Sequence, residues 1–144
     1  MKVKIKKLTD KAIIPTFGSV GSAGADLYSA EESIIISPNQ TVVVGTGVAV
    51  EIPEGFVGLV FARSGLATKS GLAPANKVGV IDCDYRGELK VALHNHSGEV
   101  RKIESGERIA QLVITPYLQF DFDEVDELSD TKRGSGGFGS TGKN

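Results

Sequence analysis

Scarcity narrows this chain before any motif does. Its 144 residues include one cysteine, Cys83, so an internal disulfide and a cysteine-built metal cluster are both excluded. Histidine occurs twice, as His94 and His96, too few for a histidine-rich metal site, although an ion carried in on a phosphorylated ligand is compatible with the composition. Net charge is equally sparse. The 16 lysines and arginines against 18 aspartates and glutamates leave a formal charge of −2, which argues against a broad nucleic-acid footprint or an anionic-membrane surface. An anionic ligand must then be met by a few placed cations. Long apolar runs are missing as well: the N-terminal lysines are followed by no stretch resembling a signal or a membrane span, so the expected compartment is cytoplasmic. The length suits one domain with a real core and is too short for two.

What the chain does have is short, β-rich runs. Residues 3–6 alternate with period two, and β-branched segments follow at 34–36, 41–44, 48–52, 56–61, 78–81, 89–93 and 109–115. Turn signals such as Pro38-Asn39, Gly45-Thr46-Gly47, Pro53-Glu54-Gly55 and Ser97-Gly98 separate them at the spacing of a sandwich or barrel. The reading is therefore all-β. A short helix or a turn is expected over 65–70 with Ser64 as N-cap. Residues 120–128 alternate apolar with acidic side chains, a strand pattern suited to an edge or to a neighbouring subunit. The chain divides on this reading into a core, 1–128, and a glycine-rich segment, 129–144.

Five stretches carry chemistry. Ser22-Ala23-Gly24-Ala25-Asp26-Leu27 sets a carboxylate behind small residues, a combination that is also common in plain turns. Phe61-Ala62-Arg63-Ser64-Gly65 brings a guanidinium, a hydroxyl and a flexible N–H together at a strand end, a competent phosphate cradle or simply a solvated Arg at a helix start. Residues 76–87 read as a β-hairpin whose turn holds Asp82, Asp84 and Tyr85. Asp82 is the stronger candidate for catalysis, because it directly follows an apolar strand while Asp84 sits within the turn. In Gly106-Glu107-Arg108-Ile109-Ala110-Gln111-Leu112, alternation puts Arg108, Ala110 and Leu112 on one side and Gln111 on the other, where a glutamine among apolar neighbours needs a partner. Last, Arg133-Gly134-Ser135-Gly136-Gly137-Phe138-Gly139-Ser140-Thr141-Gly142 sets one aromatic ring among glycines and hydroxyls behind an arginine. On composition alone such an end is ordinarily disordered.

In this order the five stretches resemble the motifs of the trimeric deoxyuridine triphosphatases, enzymes that convert dUTP to dUMP and pyrophosphate. The departures are slight: Ala62 stands where proline is frequent, and Ala75-Asn76-Lys77 differs from the commonest approach to the third motif. The resemblance implies a distorted jelly-roll barrel or sandwich of the β-clip kind, a homotrimer with sites shared between subunits, and a C-terminal arm exchanged between them. It implies that Asp82 activates the water attacking the α-phosphorus. Arg63, Ser64, Gly65 and Gln111 would hold the phosphates. Mg²⁺ would come with the substrate, and Asp26 would meet it through bound water. Tyr85 would pack on the deoxyribose and exclude a 2′-hydroxyl, while Asn76, Gly79 and Ile81 would read uracil. Arg133, Gly139, Ser140 and Thr141 would close over the phosphates with Phe138 stacked on the base.

Such activity keeps uracil out of DNA and supplies dUMP for thymidylate synthesis. No nucleic-acid or membrane partner is implied. Ordering some ten tail residues costs on the order of 10 kcal/mol, whereas one stacked base returns about 1–3 kcal/mol, so the tail is expected to order only when triphosphate contacts join the stacking. Two other readings remain at this stage: a dCTP deaminase-like enzyme, and a catalytically silent nucleotide-binding module on the same fold.

Overall fold

The computed structural model describes residues 1–137, and among these it contains twelve strands and one helix. Every strand pair is antiparallel. The largest sheet has five strands in the order β2 (Thr16–Phe17), β3 (Ala25–Tyr28), β12 (Arg108–Pro116), β7 (Phe56–Phe61) and β9 (Val78–Ile81). A three-stranded sheet sets β10 (Lys90–Asn95) between β5 (Thr41–Gly45) and β8 (Leu72–Pro74). Two ribbons complete the set: β1 (Lys4–Lys7) with β6 (Val48–Glu51), and β4 (Ile34–Ile36) with β11 (Arg101–Ile103). One apolar cluster lies between the layers, joining Leu27, Val60 and Leu112 of the large sheet to Val44, Leu72, Val91 and Leu93 of the smaller one and to Ile36, Val50 and Ile103 of the ribbons. Alternation of buried and more accessible positions along β7 and β10 is what a strand with one face on that core must show.

Several expectations are corrected. Residues 76–87 do not form a hairpin: β9 pairs with β7 alone, whereas β10 pairs with β5 and β8, so the chain changes sheets at the Asp82–Tyr85 turn. Ser64 is not the N-cap. That position belongs to Arg63 in extended conformation, no side chain caps it, and Ser64 is the first residue of α1 (Ser64–Ser70), which closes on Gly71 in the left-handed region (φ 67°). The alternation assumed near Arg108 is broken by a bulge in β12: Arg108 faces Tyr28 and Ala110 faces Leu27, so Ile109 and Ala110 are both buried and Arg108 turns outward. No strand forms over 120–128. After Pro116 the described chain has no regular element, and Phe122 and Leu128 are 92% and 88% exposed. Dense in carboxylates, that segment pairs with no strand among the described residues.

Three buried polar side chains serve the scaffold. Asn95 donates to the carbonyls of Ile36 (2.9 Å) and Glu99 (2.8 Å) and accepts from the Ser97 amide and hydroxyl (2.9 and 2.7 Å), tying β10 to β4. Thr46 donates to the Leu89 carbonyl at 2.6 Å, and the Ser29 hydroxyl is buried without a partner.

Candidate active site

The polar residues fall into two groups at opposite reaches of the large sheet. The first is built on β3, β12 and the end of β7. Asp26, on β3, is only 14% exposed and lies between two guanidinium groups: Arg63 donates its Nε–H to Oδ1 at 2.8 Å and Arg108 donates from NH1 to Oδ2 at 3.2 Å. Arg63 also donates from NH1 to the Arg108 carbonyl at 3.3 Å. Strand pairing brings these residues together, since Gln111 is the neighbour of both Asp26 on β3 and Phe61 on β7. Gln111 donates Nε2–H to the Ala62 carbonyl at 2.8 Å, the partner its surroundings demanded. Gly24 makes that possible, because a Cβ there would stand 2.7 Å from the Gln111 Oε1. Gly18, Ser22, Gly24, Asp26 and Gln111 line a depression of about 370 Å³. Ser64 and Gly65 open α1 beside it, with open space over Gly65.

The second group surrounds the turn after β9. Asp82 is exposed, directly follows the strand, and its carbonyl accepts the Tyr85 N–H at 3.2 Å. Arg86 clamps the turn by donating to the carbonyls of Cys83 (2.6 Å) and Tyr85 (3.0 Å). Tyr85 donates its hydroxyl to the Glu88 carbonyl at 3.0 Å and stays 44% exposed. Val80, Ile81, Asp82, Tyr85, Glu88 and Lys90 line one depression of about 200 Å³, and Asn76, Gly79 and Ile81 line an adjoining one of about 180 Å³. On the other side of Asp82 is a larger hollow of about 630 Å³ bordered by Phe56, Leu59, Cys83 and Tyr117. There the Tyr117 phenol is held above its ordinary range, first by the charge of the Cys83 thiolate, then by partial desolvation.

These two groups do not meet within one chain. Ile81 pairs with Gly58, and Arg63 lies five residues beyond Gly58, so at about 3.3 Å per residue Asp82 and Arg63 are roughly 15–20 Å apart along the sheet. Three steps across the sheet separate β3 from β9 as well. Among the described residues Arg133 makes a local contact, donating Nε–H to the Gly136 carbonyl at 2.8 Å. Phe138, Gly139, Ser140 and Thr141 lie outside the described residues. Arg108 was missed in the sequence reading because the bulge that turns it toward Asp26 leaves no mark on simple alternation. Its one signal was a cation at the start of a strand otherwise apolar.

Fold and site together define an all-β protein with an Asp–Arg cluster suited to anions and, apart from it, a carboxylate beside a tyrosine-floored groove. A family model described as dUTPase matches residues 10–142, and the chain belongs to that family. It is 53% identical over 143 residues to the deoxyuridine 5′-triphosphate nucleotidohydrolase of Nautilia profundicola, covering 99% of this chain and 100% of the relative. Among solved structures, the dUTPase of Staphylococcus bacteriophage 80alpha with dUPNHPP superposes at a TM-score of 0.91 with 34% identity over 98% of both chains. A mutant dUTPase from phage phi11 of S. aureus, described as revealing the coordination of a structural Mg(II) ion, superposes at 0.81 with 30% identity over 88% of this chain and 98% of the phage protein.

Proposed function

We propose that this chain hydrolyses dUTP to dUMP and pyrophosphate, in sites that each take Asp82 from one subunit and Arg63 from another. The observation that carries the shared site is the separation of roughly 15–20 Å between the two groups, too great for one triphosphate to touch both. A homotrimer with the C-terminal arm passed to a neighbour fits two further facts. Phe120, Phe122 and Leu128 expose most of their surface on the single chain, and Asp82 borders a hollow flanked by Phe56 and Tyr117 that is open on its outer side. On this reading 1–128 forms the core and 129–144 the lid.

Asp82 accepts a proton from the water that attacks the α-phosphorus. As the new P–O bond forms, the bond to the bridging oxygen breaks and pyrophosphate leaves. Base help of this kind supplies about 10²–10⁴ in rate, so the remainder comes from holding the phosphates in line and neutralising their charge. Arg63, Ser64, Gly65 and Gln111 do the holding, and Arg133 with Ser140 and Thr141 closes from the arm. Asp26 fixes the orientation of Arg63, and Arg108 holds Asp26 from the other side. A carboxylate has about four lone-pair directions, so two guanidinium contacts leave it room to accept from one metal-bound water. Among the described residues no group of three or more acidic, His or Cys side chains gathers, which suits an ion held chiefly by substrate phosphates and water. Mg²⁺ would supply charge neutralisation across those phosphates.

Base selection belongs to β9, an edge strand whose alternate N–H and C=O groups point away from β7. Gly79 and Ile81 offer them to the Watson–Crick edge of uracil, assisted by Asn76, with Phe138 stacking from the arm. Cytosine carries the reversed donor and acceptor pattern and leaves buried groups unpaired. Tyr85 floors the sugar groove.

The test is pyrophosphate release measured with dUTP, dTTP, dCTP and UTP, each with and without Mg²⁺. Release from dUTP alone, stimulated by Mg²⁺, is expected. Ammonia from dCTP would assign the chain to the deaminases instead, and binding without turnover would make it a silent nucleotide-binding module.

A further inference from the structure

Tyr85 has an unusual seat. Its side chain folds back over the residue two places on, so that the ring lies against the Gly87 backbone and the hydroxyl reaches the Glu88 carbonyl at 3.0 Å. A methyl group at position 87 would stand 2.5 Å from the ring Cζ and 2.9 Å from Cε2, with the hydroxyl oxygen closer still. Separations under about 3 Å cannot be absorbed by a rigid aromatic ring, and the turn beneath cannot yield freely because Arg86 clamps two of its carbonyls. Gly87 is not in the left-handed region, so its lack of a side chain answers to the ring above it and not to the backbone.

We propose that Gly87 is the positioning residue for sugar discrimination: by having no side chain it lets the Tyr85 ring lie flat at the depth that leaves room for deoxyribose and none for a 2′-hydroxyl. This rests on the reading that Tyr85 floors the sugar groove. With alanine at 87 the ring loses both its seat and its hydrogen bond to Glu88. It swings out toward solvent, where it is already 44% exposed, and the groove deepens enough to admit ribose.

The experiment compares kcat/KM for dUTP and UTP on single preparations of wild type, Gly87→Ala, Tyr85→Ala and Tyr85→Phe, with Gly98→Ala as a control in open space. Because both substrates are assayed on one preparation, loss of folded protein lowers both values equally and leaves the ratio untouched. Gly87→Ala and Tyr85→Ala are each expected to lower the dUTP preference by about tenfold or more. Tyr85→Phe, which keeps the ring on its seat and loses only the hydroxyl, should stay within about threefold of wild type, and Gly98→Ala should match wild type. A normal ratio in Gly87→Ala with a collapsed one in Tyr85→Ala overturns the role of Gly87 and spares that of Tyr85. A normal ratio in both overturns the sugar-floor reading itself and the inference with it. Collapse in Tyr85→Phe to the level of Gly87→Ala would assign the effect to the hydroxyl anchor and overturn the proposal.

Discussion

At the scale of single residues, placement decides what each polar group can do. Asp82, directly after the last residue of a strand, stands exposed in a turn where a water can approach it, while Asp26 has each oxygen bonded to an arginine. Asp82→Asn should therefore bind a non-hydrolysable dUTP analogue as wild type does and turn dUTP over about 10²–10⁴ times more slowly, read by calorimetry and steady-state kinetics. Unchanged turnover would remove Asp82 from the role of base. A second residue-level outcome concerns His96, an exposed side chain whose cation is disfavoured first by partial desolvation, then by the neighbouring charges of His94 and Lys77. Its folded value lies below the unfolded 6.5, so as the pH drops past that value the unfolded chain takes up the proton more readily. Stability is then lost as pH falls through that window and is unaffected above it. His94→Phe should move the His96 titration upward by NMR, and no movement would dismiss the His94 charge as a cause. Residues of this kind were legible unevenly. Gln111 announced its need for a partner because an amide among apolar neighbours is costly, and Ala62 supplies it. Arg108 gave no hint of its partner, which is eighty-two positions away in the chain.

At the scale of elements, strands with one face on the core were plain from their apolar runs. Both β7 and β9 were read to the residue. The missed strands β2, β3, β8 and β11 are two to four residues long, and β3 is only half-buried at Asp26 and Tyr28, so their pairing is set by neighbours and not by their own composition. The same cause explains the absent hairpin: β-propensity identifies a strand without saying which edge it will join. Asn95 is the clearest joint between elements, serving the carbonyls of Ile36 and Glu99 and the amide of Ser97. Asn95→Leu should cost about 2–3 kcal/mol in urea unfolding, since it strands buried polar groups that cannot find water. A loss below about 0.5 kcal/mol would show that the surrounding loop re-satisfies them.

At the scale of the molecule, the function proposed for this chain depends on assembly. Arg63→Ala and Asp82→Asn homo-oligomers should each be nearly inactive, because every site lacks one group. Unfolding and refolding the two together should recover activity, as some sites draw both intact groups from different chains. Mixtures that stay inactive would place both groups on the same subunit of each site. Native mass spectrometry of the wild type should give three chains. Nothing in composition or periodicity could have disclosed this arrangement, since distance within the folded chain is what separates the two groups.

That distance has a consequence for inheritance. With sites shared as proposed, a chain defective at Asp82 alone, made beside the normal protein, would spoil one site of a mixed assembly, and so would one defective at Arg63 alone. A chain carrying both defects spoils two, the one where it should supply the base and the one where it should supply the guanidinium. Damage then exceeds the variant's share of the protein, and a lesion that would be recessive in a self-contained enzyme becomes partly dominant.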